Sequence, residues 1–168
     1  MVRKIVLYPN AILREKTIPV AQINEEMLAL VDDMIETMLE KDGIGLAANQ
    51  VGSRHRIFVL NTTPHDETPS PVVFVNPAIL GTDGEMKEEE GCLSFPGLYL
   101  HIPRSRIVRV RAKSLYNEDL VYDAQELLAR AIQHEIDHLD GVVFIDRAVP
   151  EEQTTVQEYF EQRSKEAS

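Results

Sequence analysis

The five residues His134-Glu135-Ile136-Asp137-His138 make chemical sense on an α-helix. There, positions four apart stand nearly one above the other, about 40° out of line and roughly 6 Å along the axis. Two imidazoles so placed can grip one metal ion, and the carboxylate beside them can move protons. The motif therefore predicts a helix late in the chain and points to a metal-dependent hydrolase. The plainer alternative is a pair of hydrogen-bonded core histidines.

The surrounding residues extend this helix over about 124–139. Asp123 followed by Glu126 has the form of a capping box, and Gly141 is a stop signal. Leu128, Ile132, Ile136 and Leu139 make an apolar stripe that belongs in a core. Leu127, Ala131, His134 and His138 share the neighbouring face, which puts the histidines beside apolar ground at the floor of a pocket.

A catalytic site of this kind takes three protein ligands and keeps one position open. One class of H-E-x-x-H peptidases finds its third ligand in a downstream histidine. Here Gly141 fits that longer pattern, but Phe144 stands where the histidine would be. A downstream acid is compatible with the spacing at Glu151, Glu152 or Glu158. The upstream choice is Cys92, the single cysteine of the chain, in Glu90-Gly91-Cys92-Leu93-Ser94. A lone thiol excludes an internal disulfide and leaves the roles of buried filler, nucleophile paired with histidine, or metal ligand. Among donors for a metal, Cys92 is the best available.

The chain has 168 residues, 43% of them hydrophobic, which suits one globular domain with a proper core. It holds no run of eighteen apolar residues, so no membrane span is expected. Met1 to Asn10 is too short and too quickly polar for a signal peptide, and the cytoplasm is the expected location. A net charge of −11 argues against nucleic acid as a partner. The run Arg104, Arg106, Arg109, Arg111, Lys113 dissents, but its last three members alternate with Val108, Val110 and Ala112. That is the period of a half-buried strand with a solvated face.

Residues 24–41 are predicted helical. Asn24 is the N-cap, Met27, Leu30, Val31, Met34 and Met38 recur at helical spacing, and Gly43 is placed to take the left-handed position at the end. Strands are predicted at 57–60, 72–75 (ended by Asn76-Pro77), 106–112, 119–122 and 142–145, with a proline-rich loop at 61–71. Residues 151–168 suggest a short amphipathic helix with a frayed end. The fold class is α+β, a single domain of antiparallel strands packed around a central metal-binding helix, with an N-terminal helix and a C-terminal helix. Residues 1–150 form the catalytic domain, and 151–168 are a helix or tail of the same domain.

Three segments together resemble the peptide deformylase family: Gly43-Ile44-Gly45-Leu46-Ala47-Ala48-Asn49-Gln50, Glu90-Gly91-Cys92-Leu93-Ser94, and Gln133-His134-Glu135-Ile136-Asp137-His138-Leu139-Asp140-Gly141. They occur in the family's order and at family-like separations, and the resemblance spans about residues 1–150. It implies hydrolysis of the N-formyl group of formyl-methionine on nascent chains, with formate released. It implies Cys92, His134 and His138 as ligands of one divalent ion, Fe(II) in the cell, with Zn(II), Ni(II) or Co(II) able to substitute. It makes Glu135 the general base and then general acid, and gives the oxyanion hole to the Gln50 amide and the Leu93 backbone N–H.

By the same resemblance, Ile44, Leu127 and Ala131 are candidates for the methionine pocket, with Phe95 near in sequence. Gly45 and Gly91 offer backbone groups to an extended peptide, and Arg104 stands where the family often places basic residues near the peptide. Nascent formylated chains, and through them the ribosome, are the implied partners. Three residues depart from the family's habit. Glu126 stands where many members have glycine, Arg130 brings a charge to the helix lining the site, and Phe95 replaces a smaller aliphatic residue.

Two other functions compete. One is a zinc peptidase cutting internal bonds, against which Phe144 argues for one class. The other is a non-catalytic structural metal protein. A closed site needs a fourth ligand, and there is no second cysteine, while His55, His65 and His101 lie in unrelated contexts.

Overall fold

The computed structural model describes residues 1–167, and among them the periodicities above resolve into two sheets and three α-helices. The strands are β1 (Gly45–Ala47), β2 (Ile57–Asn61), β3 (Pro71–Asp83), β4 (Met86–Cys92), β5 (Phe95–Arg104), β6 (Ile107–Lys113) and β7 (Asp119–Gln125). Five of them form a sheet in the order β1-β2-β3-β6-β7, every neighbour antiparallel, and β4 and β5 form a separate hairpin. The helices are α1 (Glu25–Glu40), α2 (Glu126–Leu139) and α3 (Gln153–Ala167).

Strand alternation divides the sheet between two helices. In β2, Ile57 and Val59 face α1, where they meet Met34, Met38, Leu30 and Val31. Phe58 and Leu60 face α2, where Ala129, Ile132, Ile136 and Leu139 cover them together with Phe74, Val108 and Val110. Phe58 and Phe74 stack at 4.5 Å in that core. A fully buried strand between two helices shows no polar alternation, and the run Ile-Phe-Val-Leu shows none. A third core gathers the hairpin, the N-terminal segment and α3. Phe95, Leu100, Ile102, Phe144, Leu13 and Val156 meet there, and Tyr8 stacks on Phe95 at 4.8 Å.

Helix α1 begins as expected, with the Asn24 side chain accepting from the Met27 N–H at 3.0 Å. Its end differs. Asp42, not Gly43, is left-handed (φ 55°), and the N–H groups of Asp42 and Gly43 return to the carbonyls of Leu39 and Met38. This is a Schellman ending one residue earlier than predicted, and aspartate tolerates the conformation.

Helix α2 also starts later than predicted. Asp123 lies in β7 and pairs with Arg109 across to β6 (2.6 and 3.1 Å), so there is no capping box. Glu126 has φ 53°, a left-handed conformation that glycine adopts freely, and its carboxylate accepts from Arg106 at 2.8 Å. The departure at Glu126 is therefore a backbone matter, not a cap.

Two strand limits are corrected as well. Asn76-Pro77 does not end β3. The strand bulges there between Val75 and Ala78, Asn76 takes φ 52°, and its amide holds the N–H and carbonyl of Val20 at 2.7 and 2.9 Å. Residues 142–145 are not a strand; they lead into a 3-10 turn, Phe144–Arg147, with Val143 and Phe144 in the third core. A short apolar run bound for a core reads alike in either form. The hairpin β4–β5 went unpredicted. The C-terminal helix forms as expected and docks through Val156; Ser168, where fraying was expected to be greatest, lies outside the described residues.

Candidate metal centre

Three donor atoms converge between the hairpin and α2. Cys92 ends β4, and His134 and His138 stand one turn apart on α2. His138 Nε2 lies 3.3 Å from Cys92 Sγ and 3.2 Å from His134 Nε2. All three atoms fall within 4.8 Å of one another, and both histidines are buried. Tetrahedral ligands around a zinc-sized ion stand about 3.3 to 3.6 Å apart, given bonds of about 2.0 to 2.3 Å. The donor set fits a divalent transition ion in its chemistry, and the distances from His138 to the other two donors match that spacing. The downstream acids lie elsewhere: Glu151 and Glu158 are exposed, and Glu152 accepts from the His101 N–H at 2.9 Å.

The electrostatics follow from burial and neighbours. Burial works against charge on His134, but Cys92, Glu135 and Glu90 together raise its pKa well above the ordinary value. Burial and the charge on His134 push His138 well below. Burial lifts the Glu135 carboxyl to about 7 despite the pull of His134. Glu135 Oε1 and His138 Nδ1 are buried without a hydrogen-bond partner among the described residues, as is Asn49 Oδ1. Such atoms are costly unless something polar meets them.

Behind the histidines stands Glu90. The His134 Nδ1–H donates to Glu90 Oε2 at 2.9 Å, the interaction that turns Nε2 toward a metal. Burial alone would raise the Glu90 pKa, but His134 and Arg104 bring it down to about 2. Arg104 grips Glu90 with two bonds (3.0 and 2.9 Å) and Asp137 with a third (2.7 Å). Arg147 closes the far side of Asp137. On the other side, the Asn49 amide donates to the His138 carbonyl at 2.6 Å.

A cleft of about 530 Å³ opens onto the centre. Ile44, Gly45 and Gln50 line it from the β1 side, Gly91, Cys92 and Leu93 from the hairpin side, and Leu127, Ala131, His134 and Glu135 from the helix side. Phe95 and Arg130 also reach its wall. A Cβ on Gly45 would sit 2.8 Å from both Cγ and Oε2 of Glu135, so this glycine makes room for the carboxylate. The Gln50 amide is buried and held at both ends: its Oε1 accepts from the Ala47 N–H at 3.0 Å, and its Nε2 reaches Ser94 Oγ at 3.1 Å and Cys92 Sγ at 3.7 Å. Eleven of the twelve candidate residues thus share one cleft or its donor cluster. Arg104 does not: it lies 6% exposed behind Glu90, on the side of the hairpin away from the cleft. Reasoning from sequence gave no role to Glu90, Asn49, Ser94 or Asp137, although the first and third sit inside the motif around Cys92. A ligating histidine's need for a carboxylate on its other nitrogen is the signal that marks Glu90.

Comparison with known proteins converges on the same family. The sequence model described as "Polypeptide deformylase" matches residues 2–154. The peptide deformylase of Acidobacterium capsulatum is 48% identical over 147 residues, covering 88% of this chain and 86% of that protein. The peptide deformylase of Clostridium botulinum is 47% identical over 145 residues, covering 86% and 95%. Among solved structures, a peptide deformylase from Legionella pneumophila superposes with a TM-score of 0.90 at 34% identity, covering 98% of this chain and 96% of that one. One from Synechococcus elongatus, in complex with actinonin, gives 0.89 at 37% identity, covering 95% and 86%.

Proposed function

The chain belongs to the polypeptide deformylase family, and on that premise we propose how its residues divide the work. The reaction is hydrolytic removal of the N-formyl group from nascent peptides. The observation that carries the assignment of roles is the convergence of Cys92 Sγ with His134 and His138 Nε2 at a cleft that also holds Glu135 and Gln50.

Cys92, His134 and His138 would hold one divalent ion, which would supply Lewis acidity. Glu135 takes a proton from water as the water oxygen bonds to the formyl carbon, and returns that proton to the amine nitrogen as the C–N bond breaks; the formic acid released gives up its own proton, leaving formate and a free α-amino group. Burial raises its carboxyl above the ordinary range, which favours taking and returning a proton, as this double duty requires. The Gln50 Nε2–H and the Leu93 backbone N–H donate to the oxyanion; Gln50 is pre-aimed by its bonds to Ala47 and Ser94. The formyl-methionine side chain fills the slot beside Ile44, Leu127 and Ala131. The peptide lies extended between two free strand edges, β1 near Gly45 and β4 near Gly91.

We further propose Fe(II) as the ion in the cell, with Zn(II), Ni(II) or Co(II) able to substitute, since one thiolate and two imidazoles accept each of them. Residues 1–150 and 151–168 act as one catalytic domain, and the third core they share supports this. Work in the cytoplasm near the ribosome, where formylated chains emerge, completes the reading. Among the described residues no helix is long and apolar enough to cross a membrane.

Glu135→Gln tests the assignment. The variant is expected to keep its metal and lose formate release from formyl-Met-Ala by about 10²- to 10⁴-fold. Turnover within a factor of a few of wild type removes Glu135 from the mechanism.

A further inference from the structure

The donors come from two bodies, the sulfur from the hairpin and the nitrogens from α2, so something must set the distance between them. The apolar cores do so only in part: α2 packs its aliphatic face on the five-stranded sheet while the hairpin packs into the third core, and the His134 ring reaches that core at Phe144, 5.9 Å away. Hydrogen bonds and ion pairs supply the directional link between hairpin and helix. Arg130, Gln133, His134 and Asp137 recur at helical spacing on the side of α2 that meets the hairpin, and each is bonded to it or to the residue that follows it.

Arg130 stands out among them. Its side chain is 4% exposed, yet it lines the cleft between Leu127 and Ala131. Nη2 donates to the Glu88 carbonyl at 2.9 Å and lies 3.3 Å from Glu90 Oε1; Nη1 donates to the Ile102 carbonyl at 3.4 Å. Glu88 and Ile102 face each other across the hairpin, so one guanidinium holds both strands. Glu90 in turn receives the His134 Nδ1–H. A fork of fixed donors can serve all these acceptors at once, which a lysine ammonium on a flexible stem cannot.

We infer that Arg130 is a positioning residue of the metal centre: through Glu90 and the two hairpin carbonyls it sets the separation of Cys92 from His134 and His138. The inference rests on the ligand assignment above and adds a residue that touches neither ion nor reacting atoms. Because Arg130 also forms the cleft wall, it joins the substrate slot to the ligand set by a single side chain.

The test uses cobalt-loaded full-length protein, its visible absorption reporting ligand geometry and competition with a chelator reporting retention. Arg130→Met is expected to shift the cobalt bands and weaken retention by on the order of ten-fold, with Arg130→Lys recovering only part. Combined with Glu90→Gln, its effect on retention is expected to be less than additive, since both changes cut one path. A native cobalt spectrum and native retention in Arg130→Met, with KM alone raised, overturns the inference and leaves Arg130 as cleft wall only. Additive losses in the double variant overturn it too. If Arg130→Met does not fold, Arg130→Gln carries the same comparison. Wild-type protein that takes up no cobalt defeats the ligand assignment itself, a different failure from wild-type uptake with an unaltered variant.

Discussion

Helix α2 is held in opposite ways on two of its faces. Toward the sheet it presents Ala129, Ile132, Ile136 and Leu139, buried against aromatic and branched side chains. Toward the hairpin it presents Arg130, Gln133, His134 and Asp137, bound by charge and hydrogen bonds. The first seam is non-directional; side chains of similar volume can be exchanged there at modest cost. The second is directional, and each member has partners left stranded if it is removed. Both seams hold the helix, but only the second fixes how its histidines face the hairpin. The division lets the aliphatic face drift in sequence while the polar face stays constrained.

The contrast predicts an order of effects. Arg104→Met removes the one buried cation shared by two partly buried carboxylates and should cost about 3 to 4 kcal/mol, because their remaining partners, Arg130, His134 and Arg147, compensate them only in part. Urea titration measures it. The pH profile adds a second signature. With Arg104 present, the Glu90 pKa is depressed to about 2, so its contribution exists above the unfolded value near 4.3 and fades as pH falls toward 2. Without Arg104 that window narrows, and the variant's acid sensitivity should shrink. A loss of less than about 1 kcal/mol with unchanged acid unfolding means that the polar seam is not what holds the helix.

Ile132→Ala on the other face should cost about 3 kcal/mol through lost burial and a residual cavity, while cobalt bands and turnover per folded molecule stay native. A shifted cobalt spectrum in this variant erases the distinction between the seams. The smallest effect is at the start of the helix. Glu126→Gly relieves a left-handed residue at the cost of an exposed pair with Arg106, and should gain about 1 kcal/mol in thermal unfolding. Destabilisation there would show that the ion pair outweighs the backbone.

The same two seams explain what could be read from the chain. Periodic burial is written locally, so α1, α2, β2 and β6 were legible within a residue or two. The Cys92, His134 and His138 cluster was legible because the two segments that carry it are short and specific. The hairpin was not, since β4 reads Met-Lys-Glu-Glu-Glu-Gly-Cys and carries its one important carboxylate among solvated ones. The polar stripe on α2 was hidden for a related reason. Arg130 and Asp137 look like surface residues until the Glu88 carbonyl meets Arg130 from 42 residues away and Arg104 meets Asp137 from 33. Asp123 resembled a cap because a cap and a strand-end acid differ only in what lies opposite, here Arg109.

The sulfur and the second imidazole are separated by 46 residues of chain. On the proposed ligand assignment, an unfolded polypeptide cannot assemble that trio at useful affinity, so an ion would bind the folded chain preferentially and stabilise it. Sequestering the ion should therefore lower the melting temperature as well as stop turnover, and a newly synthesised molecule becomes competent only when its late helix closes against its middle.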